Sequence, residues 1–163
     1  MHPNVARVVE AARQAGLEIE VEHFPEGTRT AADAARAVGC EVSQIVKSLV
    51  FMADGSPVLA LVSGANRVDL PRLAAAAGAS GVRRADGDEA RAATGFAIGG
   101  VPPFGHFEPL TVVIDRDLTR HELLWAAAGL PDAVFPITPD DLVHASGGRV
   151  AHLAEGSLRS SVK

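Results

Sequence analysis

Two stretches of the chain hold the groups best suited to chemistry. The first is Gln44-Ile45-Val46-Lys47-Ser48-Leu49-Val50-Phe51, in which Lys47 stands among apolar, strand-forming neighbours. A lysine is rarely fully buried without a partner. It either snorkels to a sheet edge or holds its cation at the lip of a cleft, where it could pair with a phosphate or polarise an ester. The second stretch is Thr94-Gly95-Phe96-Ala97-Ile98-Gly99-Gly100-Val101-Pro102-Pro103-Phe104-Gly105-His106, with four glycines, two prolines and two phenylalanines in thirteen residues. Glycine loosens the backbone and proline removes a donor, so neither a helix nor a central strand tolerates the mixture. It reads either as a tight turn packed on the core or as a shaped binding loop. In the second reading the glycines let a ligand approach bare N–H groups, and the prolines stiffen the frame. Such donors can orient a carbonyl or stabilise an oxyanion, and one of them is typically worth about 10²–10³ in rate.

Other chemistries find no support. There is no Gly-x-Ser-x-Gly elbow and no Walker loop, and Gly95-x-x-x-Gly99-Gly100 lacks dinucleotide-fingerprint spacing. The histidines, at 2, 23, 106, 121, 144 and 152, form no HExxH or similar metal pair. No metal and no cofactor are therefore expected, and His106 stays of interest because it borders the loop. The single cysteine, Cys40, rules out an internal disulfide and a Cys-rich zinc cluster, and it fits a reducing cytoplasm. It reads as a small core residue, because no activating base is evident. The formal charge of −5 argues against a general nucleic-acid coat, but a local positive pocket for one RNA end remains open. No opening segment reads as a signal peptide, and no apolar run reaches the roughly 18 residues of a membrane helix, so no membrane partner is expected. At 163 residues, one domain spanning 1–163 is the natural count.

The elements that must position these groups follow from patterning. Asn4 can cap a first helix bearing Val5, Val8, Val9 and Ala12, with Gly16 ending it. Leu17, Ile19 and Val21 alternate with Glu18, Glu20 and Glu22, as in a half-buried strand. Thr28 or Thr30 caps an Ala-rich helix closed by Gly39. Gln44–Met52 and Pro57–Val62 form a hairpin about Ala53-Asp54-Gly55-Ser56, buried on both faces. Ser63-Gly64-Ala65-Asn66 turns the chain, and Asp69 opens a helix ended by Gly78. A short strand near Val82 and a capping box at Asp86 and Glu89 precede the glycine loop. Leu110–Ile114 is a core strand halted by Asp115-Arg116-Asp117. His121–Gly129 is helical by propensity and equally readable as a short strand. Ala133–Ile137 is a strand, Thr138-Pro139-Asp140-Asp141 starts a helix ended by Gly147-Gly148, and Val150–Leu153 closes the sheet. The tail Ser157–Lys163 reads as polar and frayed. Strands and helices are mixed without strict βαβ alternation, which favours a mixed α/β or α+β sheet wrapped by helices.

The Gln44–Phe51 segment, Val62-Ser63-Gly64, Asp69-Leu70 and the Thr94–Gly105 loop together resemble the YbaK/EbsC family in order and spacing. That family is the free-standing relative of the editing domain inserted in bacterial prolyl-tRNA synthetases. The resemblance covers about Val5 to Ala154. It implies a barrel-like mixed sheet surrounded by helices, with Leu123–Ala127 as a strand. It also implies hydrolysis of the ester in a mischarged aminoacyl-tRNA, with Ala-, Cys- or Ser-charged tRNAPro as the substrate type and no protein nucleophile. The partners it implies are the acceptor end of aminoacyl-tRNA and, by association, prolyl-tRNA synthetase. By the same analogy Lys47 holds the tRNA 3′ end or its ester, and the Gly99-Gly100 backbone binds the aminoacyl carbonyl. Thr30, Ser48, Ser63, Thr94, Gly95, Phe96, Val101, Pro102, Pro103, Phe104, Gly105 and His106 would form the surrounding substrate site. The likeness loosens over Gly129–Phe135, where Val134 and Phe135 are apolar and family members carry a polar residue. The same fold could also serve as a non-catalytic module that binds tRNA ends, nucleotides or a synthetase, since function does not follow from fold alone.

Overall fold

The computed structural model describes residues 1–28 and 30–156; the polar tail expected at Ser157–Lys163 lies outside the described residues. Its centre is the hairpin of β2 (Val46–Ala53) and β3 (Ser56–Ser63). Asp54 and Gly55 make the two-residue turn with φ of 50° and 85°, the positive pair that matches the twist of the flanking strands. β3 then pairs in parallel with β5 (Thr111–Asp115), which pairs in parallel with β8 (Arg149–Ala151). β4 (Val82–Arg84) adds antiparallel to the outer edge of β2, giving the order β4-β2-β3-β5-β8.

The two-residue period of β3 feeds two cores. Leu59 and Leu61 face one apolar cluster with Val5, Val8, Phe96, Phe104 and Phe135, whereas Val58, Ala60 and Val62 face another with Phe51, Leu73 and Leu153. All five of these β3 side chains are buried, so the expectation of a hairpin covered on both faces holds for this strand. The first cluster is roofed by α1 (Pro3–Gln14) and the second by α3 (Leu70–Ala77). α2 (Ala31–Val38), α4 (Gly87–Thr94) and α5 (Pro139–Ser146) complete the α-helices of the described residues. Thr30, Asp69, Asp86 and Thr138 each accept a backbone N–H at their helix starts. Between Thr28 and Thr30, the cap is Thr30; Thr28 instead donates its hydroxyl to Pro131 O at 2.7 Å.

Three expectations change. The cap of α1 is His2, whose Nδ1 accepts Asn4 N at 3.0 Å, because Pro3 takes the first helical position where its missing N–H does no harm. Asn4 lies within the first turn and donates its side-chain amide to Gly129 O at 3.2 Å. Leu17–Val21 alternates half-buried and exposed as its sequence predicts, yet it joins no ladder. Only β1 (Glu22–His23) pairs, antiparallel to β7 (Ala133–Ile137). Finally, the strands of the described residues form two sheets and no closed barrel. β1, β7 and β6 (Leu124–Ala127) make a second, three-stranded sheet, joined to the first by one parallel bridge between Ile45 and Trp125. β6 is the strand that the family likeness implied, not the helix that propensity favoured. Ala126–Phe135 and Leu124–Ile137 pairing buries Leu124 and Ala126, and this tertiary gain outweighs weak helix preference.

Candidate active site

A cavity of about 420 Å³ opens where the two sheets meet. The start of β2 forms one wall and residues Ile98, Gly99 and Val101 of the glycine loop another. Trp125, Ala126 and Ala127 of β6, Val134 of β7, Ala31 and Ala34 of α2, and Ala90 of α4 fill in the rest. Its lining is mostly apolar, with a few polar groups at fixed points, as ligand sites usually are.

Lys47 enters this cavity from β2, where its backbone is held opposite Val62. It is half-buried, and its Nζ donates to Asn66 O at 2.5 Å, so it has a partner. Burial lowers its pKa from the ordinary lysine value. Arg84 adds to this effect, Asp115 opposes it, and Arg67 again lowers it. The Lys47 and Arg84 cations thus cluster on the cavity lining, with Asp115 opposing them from outside it. Such a cluster is matched to an anionic group such as phosphate, and it heightens a cation's effect on a polar bond where water is scarce. Arg84 also lines the cavity, with its guanidinium 5.8 Å from the centre of the Phe51 ring. Gly64 allows the turn after β3 to press against this wall. A Cβ there would stand 2.5 Å from Val42 O and 2.9 Å from Ala31 Cβ, while its own N–H donates to Ile45 O at 2.7 Å.

The loop is held by packing and by local hydrogen bonds. Gly95 takes φ 84° at the end of α4, and Phe107 N donates to Thr94 O at 3.1 Å, so the two ends of the loop meet. The Thr94 hydroxyl donates to Ala90 O at 2.8 Å and accepts Phe96 N at 3.0 Å. Phe96 is fully buried and meets His106 edge-on at 6.5 Å, with the Arg7 guanidinium 4.8 Å from its ring centre. Phe104 packs on Phe135 at 5.7 Å, and Gly105 sits against Val8 and Ala11 of α1. His106 Nε2 lies 2.8 Å from Pro102 O, and burial lowers its pKa against the smaller upward pull of that carbonyl.

The two adjacent glycines do different work. Gly100 N donates to Ala97 O at 3.0 Å, closing a turn in which Gly99 has φ 96°. A Cβ on Gly100 would come within 3.0 Å of the Leu130 backbone, whereas nothing among the described residues lies within 4 Å of one on Gly99. Gly100 is therefore a close-approach residue with its N–H committed. Gly99 is exposed, lines the cavity, and its N–H has no acceptor among the described residues.

Of the residues singled out in the sequence, Lys47, Gly99, Thr30, Ser48 and Val101 line the cavity. Gly100, Ser63, Thr94, Gly95, Phe96, Pro102, Pro103, Phe104, Gly105 and His106 do not; they form the frame behind it. Ser63 is buried, with its hydroxyl donating to Ser43 O at 2.8 Å. The Ser48 hydroxyl is buried without a hydrogen-bond partner among the described residues. Sequence reasoning missed Arg84, Trp125, Ile98 and Gly64 as lining residues. The Arg83-Arg84 pair directly after Val82 was the one available signal for Arg84.

Comparison with known proteins agrees with this geometry. Residues 25–145 match the aminoacyl-tRNA editing domain family. The chain is 25% identical over 151 residues to the Enterococcus faecalis protein named "Putative Cys-tRNA(Pro)/Cys-tRNA(Cys) deacylase EbsC", covering 92% of each. It is 34% identical over 108 residues to a proline–tRNA ligase of Xanthomonas oryzae, covering 66% of this chain and 19% of the ligase. A solved structure described as "a putative trans-editing enzyme for prolyl tRNA synthetase" superposes with a TM-score of 0.89 at 46% identity, covering 96% of this chain and 99% of that one. The lysine strand, the glycine loop and the cavity between them are thus those of a chain that belongs to the aminoacyl-tRNA editing domain family, an aminoacyl-tRNA deacylase by class.

Proposed function

We propose that this protein edits in trans, hydrolysing the ester of mischarged tRNAPro carrying a small amino acid such as alanine, cysteine or serine. The observation that carries the reading is that Lys47 and the unengaged Gly99 N–H line one cavity. Lys47, with Arg84 beside the same space, receives the negative acceptor end and steadies the ester next to it. The Gly99 N–H donates to the aminoacyl carbonyl oxygen, whose charge grows as the carbon becomes tetrahedral. The apolar wall of Ala34, Val46, Ala90, Ala126 and Val134 offers a surface matched to a small side chain. No side chain of the cavity is assigned as a nucleophile; the attacking oxygen or sulfur comes from water, from the terminal ribose hydroxyl or from the substrate itself. The link to prolyl-tRNA synthetase is through the shared tRNA.

The test is release of amino acid from Ala-, Cys- and Ser-charged tRNAPro by the wild type and by Lys47→Ala. The wild type is expected to deacylate at least one of them, and Lys47→Ala to lose activity by about 10²–10³, the scale of removing one electrostatic stabiliser. An unchanged rate in Lys47→Ala would remove that residue from the mechanism. Binding without hydrolysis of any charged tRNA would point to a module that grips the acceptor end without turnover.

A further inference from the structure

Asp115 ends β5 and is wholly buried. A buried carboxylate is unfavourable unless its oxygens are hydrogen-bonded, and one of its donors here is Asn66, whose carbonyl accepts the Lys47 ammonium. Its Oδ2 accepts Ser63 N at 3.1 Å and Asn66 Nδ2 at 2.8 Å, and its Oδ1 accepts Asp117 N at 3.0 Å. The first bond prolongs the parallel β3–β5 ladder past the Leu61–Ile114 pair, with a side chain in place of a backbone carbonyl. The second reaches Asn66, whose Nδ2 also donates to Asp117 Oδ2 at 2.9 Å. The backbone N–H of Asn66 is itself tied to Ser63 O at 2.9 Å. Two carboxylates and a turn therefore fix the residue whose carbonyl accepts the Lys47 ammonium.

An isolated strand end does not require a buried charge; several neutral residues can stop a strand. The charge has a second effect here. Three charged groups act on Lys47: Arg84 from β4, Arg67 from the turn after β3, and Asp115 from β5. Asp115 alone among them favours the protonated lysine. It does not line the cavity, so it acts on bound substrate only through other groups.

We propose that Asp115 is a positioning residue for Lys47, holding the ammonium at the cavity through Asn66. The inference rests on the role given to Lys47 above. Without the carboxylate, the 63–66 turn loses two of its fixed points, and the lysine loses both its oriented acceptor and the one charge that favours it. Asparagine at 115 has one acceptor oxygen for three donors, so at least one of these bonds is lost.

The experiment measures deacylation of Ala-, Cys- and Ser-charged tRNAPro by the full chain. The variants are Lys47→Ala, Asp115→Asn, Asn66→Ala and the double variant Lys47→Ala/Asp115→Asn. Asp115→Asn is expected to lower kcat by about 10- to 100-fold with a smaller change in KM, since misplacing a group by an ångström can have that effect. The double variant is expected to be no slower than Lys47→Ala alone, because residues acting through one another are not additive. The alkaline limb of the pH–rate profile should move to lower pH in Asp115→Asn, since the group that raises the Lys47 pKa is gone. Asn66→Ala leaves the buried carboxylate in place and should lose activity in the same direction. Two results would overturn the proposal: a loss in Asp115→Asn that adds in full to that of Lys47→Ala with the pH profile unmoved, or wild-type kcat in Asn66→Ala. The Asn66 variant decides the matter alone if Asp115→Asn does not fold. A wild-type rate in Lys47→Ala would instead sink the assignment of Lys47, a result distinct from both.

Discussion

β2 and the 95–106 loop face the same cavity, but they are held in place by different forces. β2 is paired on both edges, to β3 along its whole length and to β4 at its far end, so Lys47 stands on a backbone fixed by ladder hydrogen bonds. The loop has no ladder. Buried rings, the Gly100–Ala97 turn, the bonds of the Thr94 hydroxyl and of His106 to Pro102, and the clasp of Phe107 N on Thr94 O keep its shape. Changes to the first wall should therefore alter chemistry and spare the fold. Changes to the buried frame of the second should alter stability first, and its direct part in the chemistry is confined to the cavity-facing Gly99 N–H.

The sharpest way to break this contrast is Phe96→Ala. Its ring is fully buried between α1 and the loop, and removing it should lower unfolding stability by about 3–5 kcal/mol, read by denaturant titration. Lys47→Ala, by contrast, should leave the unfolding midpoint nearly unchanged while deacylation falls. A smaller effect separates the paired glycines. Gly100→Ala forces a Cβ against the Leu130 backbone and should lower stability by about 1–3 kcal/mol, the usual scale of overpacking. Gly99→Ala meets open space and only the positive φ opposes it, so about 1–2 kcal/mol is expected. Equal losses in the two would mean that the turn, not the approach to Leu130, sets the requirement. The smallest effect is that of pH on the loop. Burial holds the folded His106 pKa below its ordinary 6.5, so the unfolded chain takes up a proton first as pH falls. The contribution of neutral His106 is full above pH 6.5 and is lost as pH drops below it. His106→Gln should flatten that part of a stability–pH curve, and a curve identical to wild type would exclude His106 as its cause.

How much of this was legible in the sequence varies by element. The hairpin was plain, because Asp54-Gly55 between apolar runs has few other solutions. The helix starts at Asp69, Asp86 and Thr138 were equally plain, since each has a side-chain oxygen placed for a backbone N–H, whereas Thr28 and Thr30 were indistinguishable by residue type. β6 was not, because Leu124-Trp125-Ala126-Ala127 is too short for periodicity to outvote alanine's helix preference. Its identity comes from pairing with β7, about ten residues further on. The composition of the glycine loop was visible, yet which glycine faces the cavity was not. That depends on the Leu130 backbone, thirty residues away in the chain. Asp115 read as a strand stop; its bonds to Ser63 and Asn66 lie about fifty residues back and leave no local pattern.

The parallel pairing of β3 with β5 has a consequence in time. β2 and β3 are joined by two residues, and such hairpins form in about 1–10 μs. β5 can add to β3 only after the intervening chain, which includes α3, α4 and the whole glycine loop, has been drawn back across the sheet. Non-local closure of that kind is slow. The lysine wall is thus expected to acquire amide protection before the loop wall in pulse-labelled refolding. Lys47 would then spend the early part of folding on a finished strand with no opposite wall, and the editing cavity would come into being with the last large step of the fold.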